Sequence, residues 1–229
     1  KIDIPKSDIT KFEVYPGKNK MILVGTESGK LFFIPLPSEK KKIEDEDMFS
    51  LELHRDDITD IKIACKNMIF TSGLDRTIKS LTFPEELLEI ENQAEFIKKI
   101  AESLHEVDLD LVMDQPLSIS ISDSGAYLYA GTIDGTIYQI LMSTLHSELA
   151  YETGFNQIMY LHSIFDKFLI IADEKGKIGV LDLASGEFLE TAEEKEKIVD
   201  VAYDNYVLYV LLGSAEIQKF SFEKYMDKL

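Results

Sequence analysis

The chain has 229 residues, 45% hydrophobic and 29% charged, a globular composition with enough length to bury a core. Its 24 basic and 42 acidic residues leave a net charge of −18, a sign that disfavours nucleic-acid backbones and anionic lipid as primary ligands. A single cysteine, Cys65, excludes an internal disulfide, and the longest apolar run, YVLYVLL at 206–212, falls far short of the roughly 20 residues of a membrane helix.

Alternating apolar runs read as strands from the start of the chain: ITKFEVY (9–15), then KMILVGTESGKLFFI (20–34), two strands about a Ser-Gly turn. SEKKKIEDEDM (38–48) is a charged, solvated loop. Glu44, Asp45, Glu46 and Asp47 are adjacent there without cation-ligand spacing, so no metal is expected. MFSLELH (48–54) suits an outer strand, and ITDIKIA (58–64) with NMIFTSGLDRTIKSL (67–81) restates the opening plan. PEELLEIENQAEFIKKIAESL (84–104) has a helical period instead, with Leu87, Ile90, Ala94, Ile97, Ala101 and Leu104 spaced 3-4-3-4-3. Pro84, Glu85 and Glu86 suit its start, and Lys98 and Lys99 its later half. That stripe either packs on the side of the strands or, since Leu88 and Phe96 fall outside it, belongs to a helix that docks a partner. The strand plan then returns three times. The runs are PLSISIS (116–122) with AYLYAGTIDGTIYQI (126–140), QIMYLHS (157–163) with KFLIIADEKGKIGVL (167–181), and KIVDVAY (197–203) with YVLYVLLGSAEIQKF (206–220). HSELAYET (146–153) and GEFLETAE (186–193) supply further outer strands.

With Lys30, Thr77, Thr136, Lys177 and Glu216 aligned, the spacings are 47, 59, 41 and 39, the largest marking the helical insertion. A unit of roughly 40–45 residues made of short strands is the period of a β-propeller blade. The fold class is therefore all-β, a propeller of five four-stranded blades in one domain over 1–229, with one inserted helix at 84–104. A sandwich also has short alternating strands, but it would not repeat one turn chemistry five times. The last unit lacks an outer strand that KIDIP at 1–5 is able to supply; either five blades close this way, or the chain belongs to a longer propeller.

LELHRDDITDIKI (51–63) followed by TSGLDRTIKSL (71–81) resembles a WD repeat. In that family a His, a Ser or Thr, a turn Asp and a Trp form a hydrogen-bonded set. His54, Thr71 and Asp75 fall on the matching positions, and Leu81 stands where the Trp would be. GTIDGTI (131–137) repeats the turn with Asp134, and LDLASGEFLE (181–190) resembles the run into an outer strand. The other units keep only the spacing, and the chain has no Trp. The resemblance implies a degenerate WD-repeat propeller that serves as a non-catalytic subunit of a larger assembly, with no cofactor and with other protein subunits as partners.

Candidates for chemistry are few. Of the four histidines, His54 has the structural role just given, while His105, His146 and His162 lack partners at metal-ligand spacing. Cys65 ends a strand as a structural thiol, and GTESGK (25–30) lies in a hairpin where a phosphate cradle needs a helix. Asp60 and Asp200 share one repeat position, which by resemblance lines a central channel. The other units place Lys11, Ile119 and Tyr160 there, so no acidic ring forms. A channel-carboxylate hydrolase or metal-dependent enzyme is the alternative function. A periplasmic quinoprotein-like propeller assisting membrane-protein assembly, prompted by LDLASGEF, would need a signal peptide. No basic-then-apolar segment opens the sequence, so a cytoplasmic or nuclear location is expected. Partner contacts are expected on loops held by a stiff framework. Leu74 and Ile133 precede the turn aspartates and should project into solvent, flanked by Arg55 and Arg76, with Leu88 and Phe96 of the helix as a second candidate surface.

Overall fold

The computed structural model describes residues 7–15, 20–36, 48–64, 67–83, 93–106 and 114–223. Two compact units, Lys1–Pro116 and Leu117–Leu229, divide the chain. In the first, β1 (Ile9–Tyr15), β2 (Met21–Thr26), β3 (Lys30–Pro35) and β4 (Phe49–Glu52) form one antiparallel sheet in sequence order. β5 (Ile58–Ile63), β6 (Met68–Gly73) and β7 (Ile78–Thr82) begin a second, which β8 (His105–Glu106) completes after helix α1 (Gln93–Glu102). In the second unit the sheets are β9 (Pro116–Ile121), β10 (Tyr127–Thr132), β11 (Thr136–Leu141) and β12 (His146–Glu152), then β13 (Ile158–Ile164), β14 (Phe168–Asp173), β15 (Lys177–Asp182) and β16 (Phe188–Glu193). β17 (Ile198–Asp204), β18 (Val207–Leu212) and β19 (Ile217–Ser221) form the last sheet. Five small antiparallel meanders of this kind are the blades of a β-propeller. The fifth has three strands among the described residues rather than the expected four.

The inner runs expected from sequence coincide with β1, β5, β9, β13 and β17 to within a residue at each end. Period-two patterning explains why. In β14 every residue is buried, yet alternate side chains serve different cores. Leu169 and Ile171 pack with Tyr129 and Ile137 of the neighbouring blade and with Ile158 of their own. Phe168, Ile170 and Ala172 pack with Ile198, Leu208 and Val210. β2 divides likewise, Met21 and Leu23 joining Ile58, Ile61 and Phe83, while Ile22 and Val24 join Phe32, Ile34 and Met48. Blades buried on both faces require continuous apolar runs, which is what the second and third strands contain.

Each hairpin between the second and third strands of a blade closes with the same bond. The amides of Gly29, Arg76, Gly135, Gly176 and Ala215 donate to the carbonyls of Thr26, Gly73, Thr132, Asp173 and Leu212 at 2.9–3.4 Å. All five donors have positive φ, from 65° to 105°. Glycine fills three of these positions, and Arg76 and Ala215 accept the left-handed conformation at some cost. Close approach between blades sets a second rule: a Cβ on Gly131 would lie 2.4 Å from Ile158 Cγ2, and one on Gly25 2.7 Å from Ile58 Cγ2.

The inserted helix differs from expectation. Residues 84–92, including Leu88, lie outside the described residues, as do 1–5, 44–47 and Cys65. Among the α1 side chains described, Ile100 is buried, fully enclosed in the cluster that includes Phe83, while Ala101 is exposed; just past the helix, Leu104 is half-buried against the same cluster. Leu104 thus packs as the expected stripe requires and Ala101 does not, while Ile100, one turn before Leu104, joins the packed face because the larger side chain gains more from burial. The other stripe positions lie outside the described side chains. Among the described residues, no helix is long and apolar enough to cross a membrane.

Candidate functional site

The second blade carries a dense polar cluster. His54 precedes β5, Thr71 lies in β6 and Asp75 lies in the turn between β6 and β7, so the fold must bring three segments together to assemble it. His54 Nδ1 is 2.9 Å from Asp75 Oδ1, and Nε2 is 2.8 Å from the Thr71 hydroxyl. One tautomer satisfies both contacts, with Nδ1–H donating to the carboxylate and Nε2 accepting from Thr71. Asp75 also accepts the Arg55 amide at 3.0 Å and the Thr77 hydroxyl at 2.7 Å. Burial works against ionisation of Asp75, but the Arg55 N–H, the Thr77 hydroxyl and the His54 ring outweigh it and hold the carboxyl at about 2. Thr77 is a participant that the motif comparison did not include. Leu81, in the Trp position, is buried in the apolar cluster and adds no polar atom.

This cluster fixes the rim of the blade. Arg55 and Arg76 are exposed and Leu74 is half-buried. The Leu74 amide donates to Asp57 O at 2.9 Å and its carbonyl accepts Gln115 Nε2 at 3.1 Å, so its backbone is tied on both sides; being half-buried, Leu74 projects less freely than the sequence led us to expect. Arg76 Nη2 lies 3.6 Å from Asp114. In the second unit, Ile133 is likewise half-buried and Asp134 is exposed. Asp134 accepts the Thr132 hydroxyl and the Thr136 amide. Burial again opposes the charge, yet these bonds hold its carboxyl below the usual carboxylate value. Phe96 lies in α1, and its side chain is outside the described set.

Blade four solves the same turn differently. Asp173, at the end of β14, is fully buried. Its Oδ1 accepts the Lys175 and Lys177 amides at 2.9 Å each, and its Oδ2 accepts the Asn156 amide at 3.1 Å. One carboxylate therefore ties the turn to the loop before β13, the work divided between His54 and Asp75 in blade two. Sequence comparison missed it because the Asp sits two positions earlier than in the motif, although ADEKGK did contain the signal, an acid at a strand end before a Lys-Gly turn. In blade one, Thr26 holds the turn through the Lys30 amide and carbonyl.

The two channel candidates differ in their surroundings. Asp60 is 3% exposed, and its Oδ1 meets Lys62 Nζ at 3.1 Å, Lys11 Nζ at 3.5 Å and the Ile61 amide at 2.9 Å. Two ammonium groups thus flank this buried carboxylate. Asp200 is exposed and accepts the Val201 amide. Among the described residues no three His, Cys, Asp or Glu side chains converge to hold a metal ion. His105 pairs along β8, and His162 lies against Tyr203 with ring centres 4.3 Å apart and planes tilted by 36°.

No family model matches the chain. Nor does any curated protein match it. Among solved structures it is similar to the computationally designed Ika8 protein, with a TM-score of 0.64 and 14% identity. The match covers 91% of this chain, which spans 57% of the length of that protein. At that identity the likeness shows the fold and nothing more.

Proposed function

We propose that the chain is a degenerate WD-repeat propeller acting as a non-catalytic protein-interaction scaffold, a subunit of a larger multiprotein assembly. One observation carries this reading: the His54–Thr71–Asp75 cluster locks a loop and a turn so that Arg55, Leu74 and Arg76 are held together on one rim. A surface already ordered before binding loses less entropy on association. Arginine beside an aliphatic residue is the composition of interface centres, and a guanidinium pairs readily with partner carboxylates. The net charge of −18 supports protein rather than nucleic acid as the ligand.

The test is affinity capture with mass spectrometry, comparing wild type with Arg55→Glu, Arg76→Gln. Both side chains are exposed, so the variant should melt with wild type while losing a defined set of partners. An unchanged partner set from the folded variant sinks the rim as an interface. Turnover of ester or glycoside substrates that disappears with Asp60→Asn or Asp200→Asn sinks the non-catalytic reading.

A further inference from the structure

In the second unit a cavity of about 500 Å³ opens where β10 begins and β11 ends, the end of that blade opposite the Asp134 turn. Tyr127 and Tyr129 stand two apart on β10, and Gln139 pairs directly with Tyr129, so all three share one face. The next blade closes the other side with the β13–β14 turn, bearing Asp166, and the end of β15, bearing Asp182.

The polar atoms of this cavity are unusual in what they lack. Tyr129 is 1% exposed and lines the cavity, and its hydroxyl makes no hydrogen bond among the described residues. Burial, then the nearby Tyr151, Asp166 and Tyr127, push its phenol above the ordinary tyrosine value, so it stays protonated. Gln139 Oε1 accepts the Tyr151 hydroxyl at 3.0 Å, which leaves the Gln139 amide N–H groups without a partner among the described residues. Among the described residues neither Asp166 nor Asp182 makes an ion pair. Instead, each is fixed by backbone: Asp166 by the Ser124 amide at 3.1 Å, Asp182 by the Ala184 and Ser185 amides at 2.9 and 3.3 Å. Lys167 shares the lining, so two carboxylates stand against one ammonium.

From this arrangement we propose that the cavity between the third and fourth blades binds a guanidinium group, carried on an arginine residue of a peptide. A planar guanidinium satisfies separate carboxylates with several donors at once and stacks on tyrosine, whereas an ammonium is a single, strongly hydrated point charge. The Tyr129 hydroxyl oxygen supplies a further acceptor. The Gln139 amide, a donor in a site rich in acceptors, suits the peptide carbonyl next to the arginine. Two fixed carboxylates repel phosphate and other anions. Because none of these residues belongs to the Arg55–Arg76 rim, this inference goes beyond the scaffold reading and stands without it.

Isothermal titration of the full chain with N-acetyl-arginine methylamide should give saturable binding. The citrulline analogue, of the same shape but neutral, and the lysine analogue should bind at least about tenfold more weakly, the loss of one charge-assisted contact. Tyr129→Phe removes only an unpartnered hydroxyl, and Asp182→Asn keeps a carbonyl for the Ala184 amide, so both should fold as wild type and each weaken binding about tenfold. Lys167→Ala should tighten it. Methylguanidinium separates the sources: binding as tight as the arginine amide assigns a free organic cation and overturns the peptide assignment. Equal affinity for citrulline, unchanged binding by folded Tyr129→Phe and Asp182→Asn, or no saturation with either arginine probe overturns the proposal. Such a failure leaves the rim variants unaffected, and loss of rim capture leaves this titration unaffected.

Discussion

The Asp75 carboxylate collects an amide, a hydroxyl and an imidazole, and its pKa near 2 lies below the roughly 3.9 of an unfolded aspartate. A group whose pKa falls on folding stabilises the native state once it is ionised in both states. The contribution is complete above about pH 5 and is lost as pH falls towards about 2, with a size of about 2–3 kcal/mol. Asp75→Asn keeps the shape and removes the charge. Its stability deficit in urea unfolding should be about 2 kcal/mol at pH 6 and should shrink steadily towards pH 2. Asp134, also held low, titrates in both proteins and cancels from the comparison. A deficit that stays constant across that range would assign the effect to geometry rather than charge. His54, Thr71 and Asp75 were legible because their residue types and spacing coincide with a known motif. Asp173 was not, since it does equivalent work from a different position in the repeat and only the fold reveals that its two oxygens reach both the turn and the loop.

At the scale of elements, α1 shows where pattern reading reaches its limit. Its sequence carries apolar residues at both 100 and 101, and a 3-4 spacing can be drawn through either. Packing chooses Ile100, which is fully buried with Phe83, while the Ser103 hydroxyl bonds the Ile100 and Thr82 carbonyls and accepts the Thr82 amide. The helix is therefore tied to β7 through both its side chain and its end. Ile100→Ala should cost about 2–4 kcal/mol in chemical denaturation, because the surrounding cluster cannot collapse fully onto the space left. Ala101→Ser, one residue on and exposed, should change stability by less than about 0.5 kcal/mol. Equal effects at the two positions would restore the stripe drawn from sequence. The strands were far more legible than the helix. Alternation of period two has only two faces to choose between, and in β2 and β14 both are buried, so a misjudged face changes little.

For the molecule as a whole, the five-fold recurrence of strand, turn and spacing sufficed to reach the propeller, since each hairpin must place a left-handed residue at the same point. Charge is the property that the fold leaves unbalanced. With a net charge of −18, carboxylates repel one another in the native state more than in an expanded chain. Ion pairs among the described residues offset little of this. Apart from those at Asp60 and Asp75, the pairs Lys30–Glu52, Arg76–Asp114, Lys99–Glu95 and Lys197–Glu174 all have at least one partner half exposed or nearly so. Pairs of that kind contribute about 0–1 kcal/mol each and weaken with salt. Raising sodium chloride from about 10 mM to about 150 mM shortens the screening length from about 30 Å to about 8 Å, which quiets the long-range repulsion while touching the short pairs less. The melting temperature should therefore rise, by about 2–4 °C for each kcal/mol of repulsion relieved in a chain of this size. Differential scanning calorimetry at pH 7.5 across that salt range measures it. A melting temperature that falls with salt would mean that the surface pairs outweigh the net charge. The Asp60 cluster, flanked by Lys11 and Lys62, would then be the first place to look for the stabilisation.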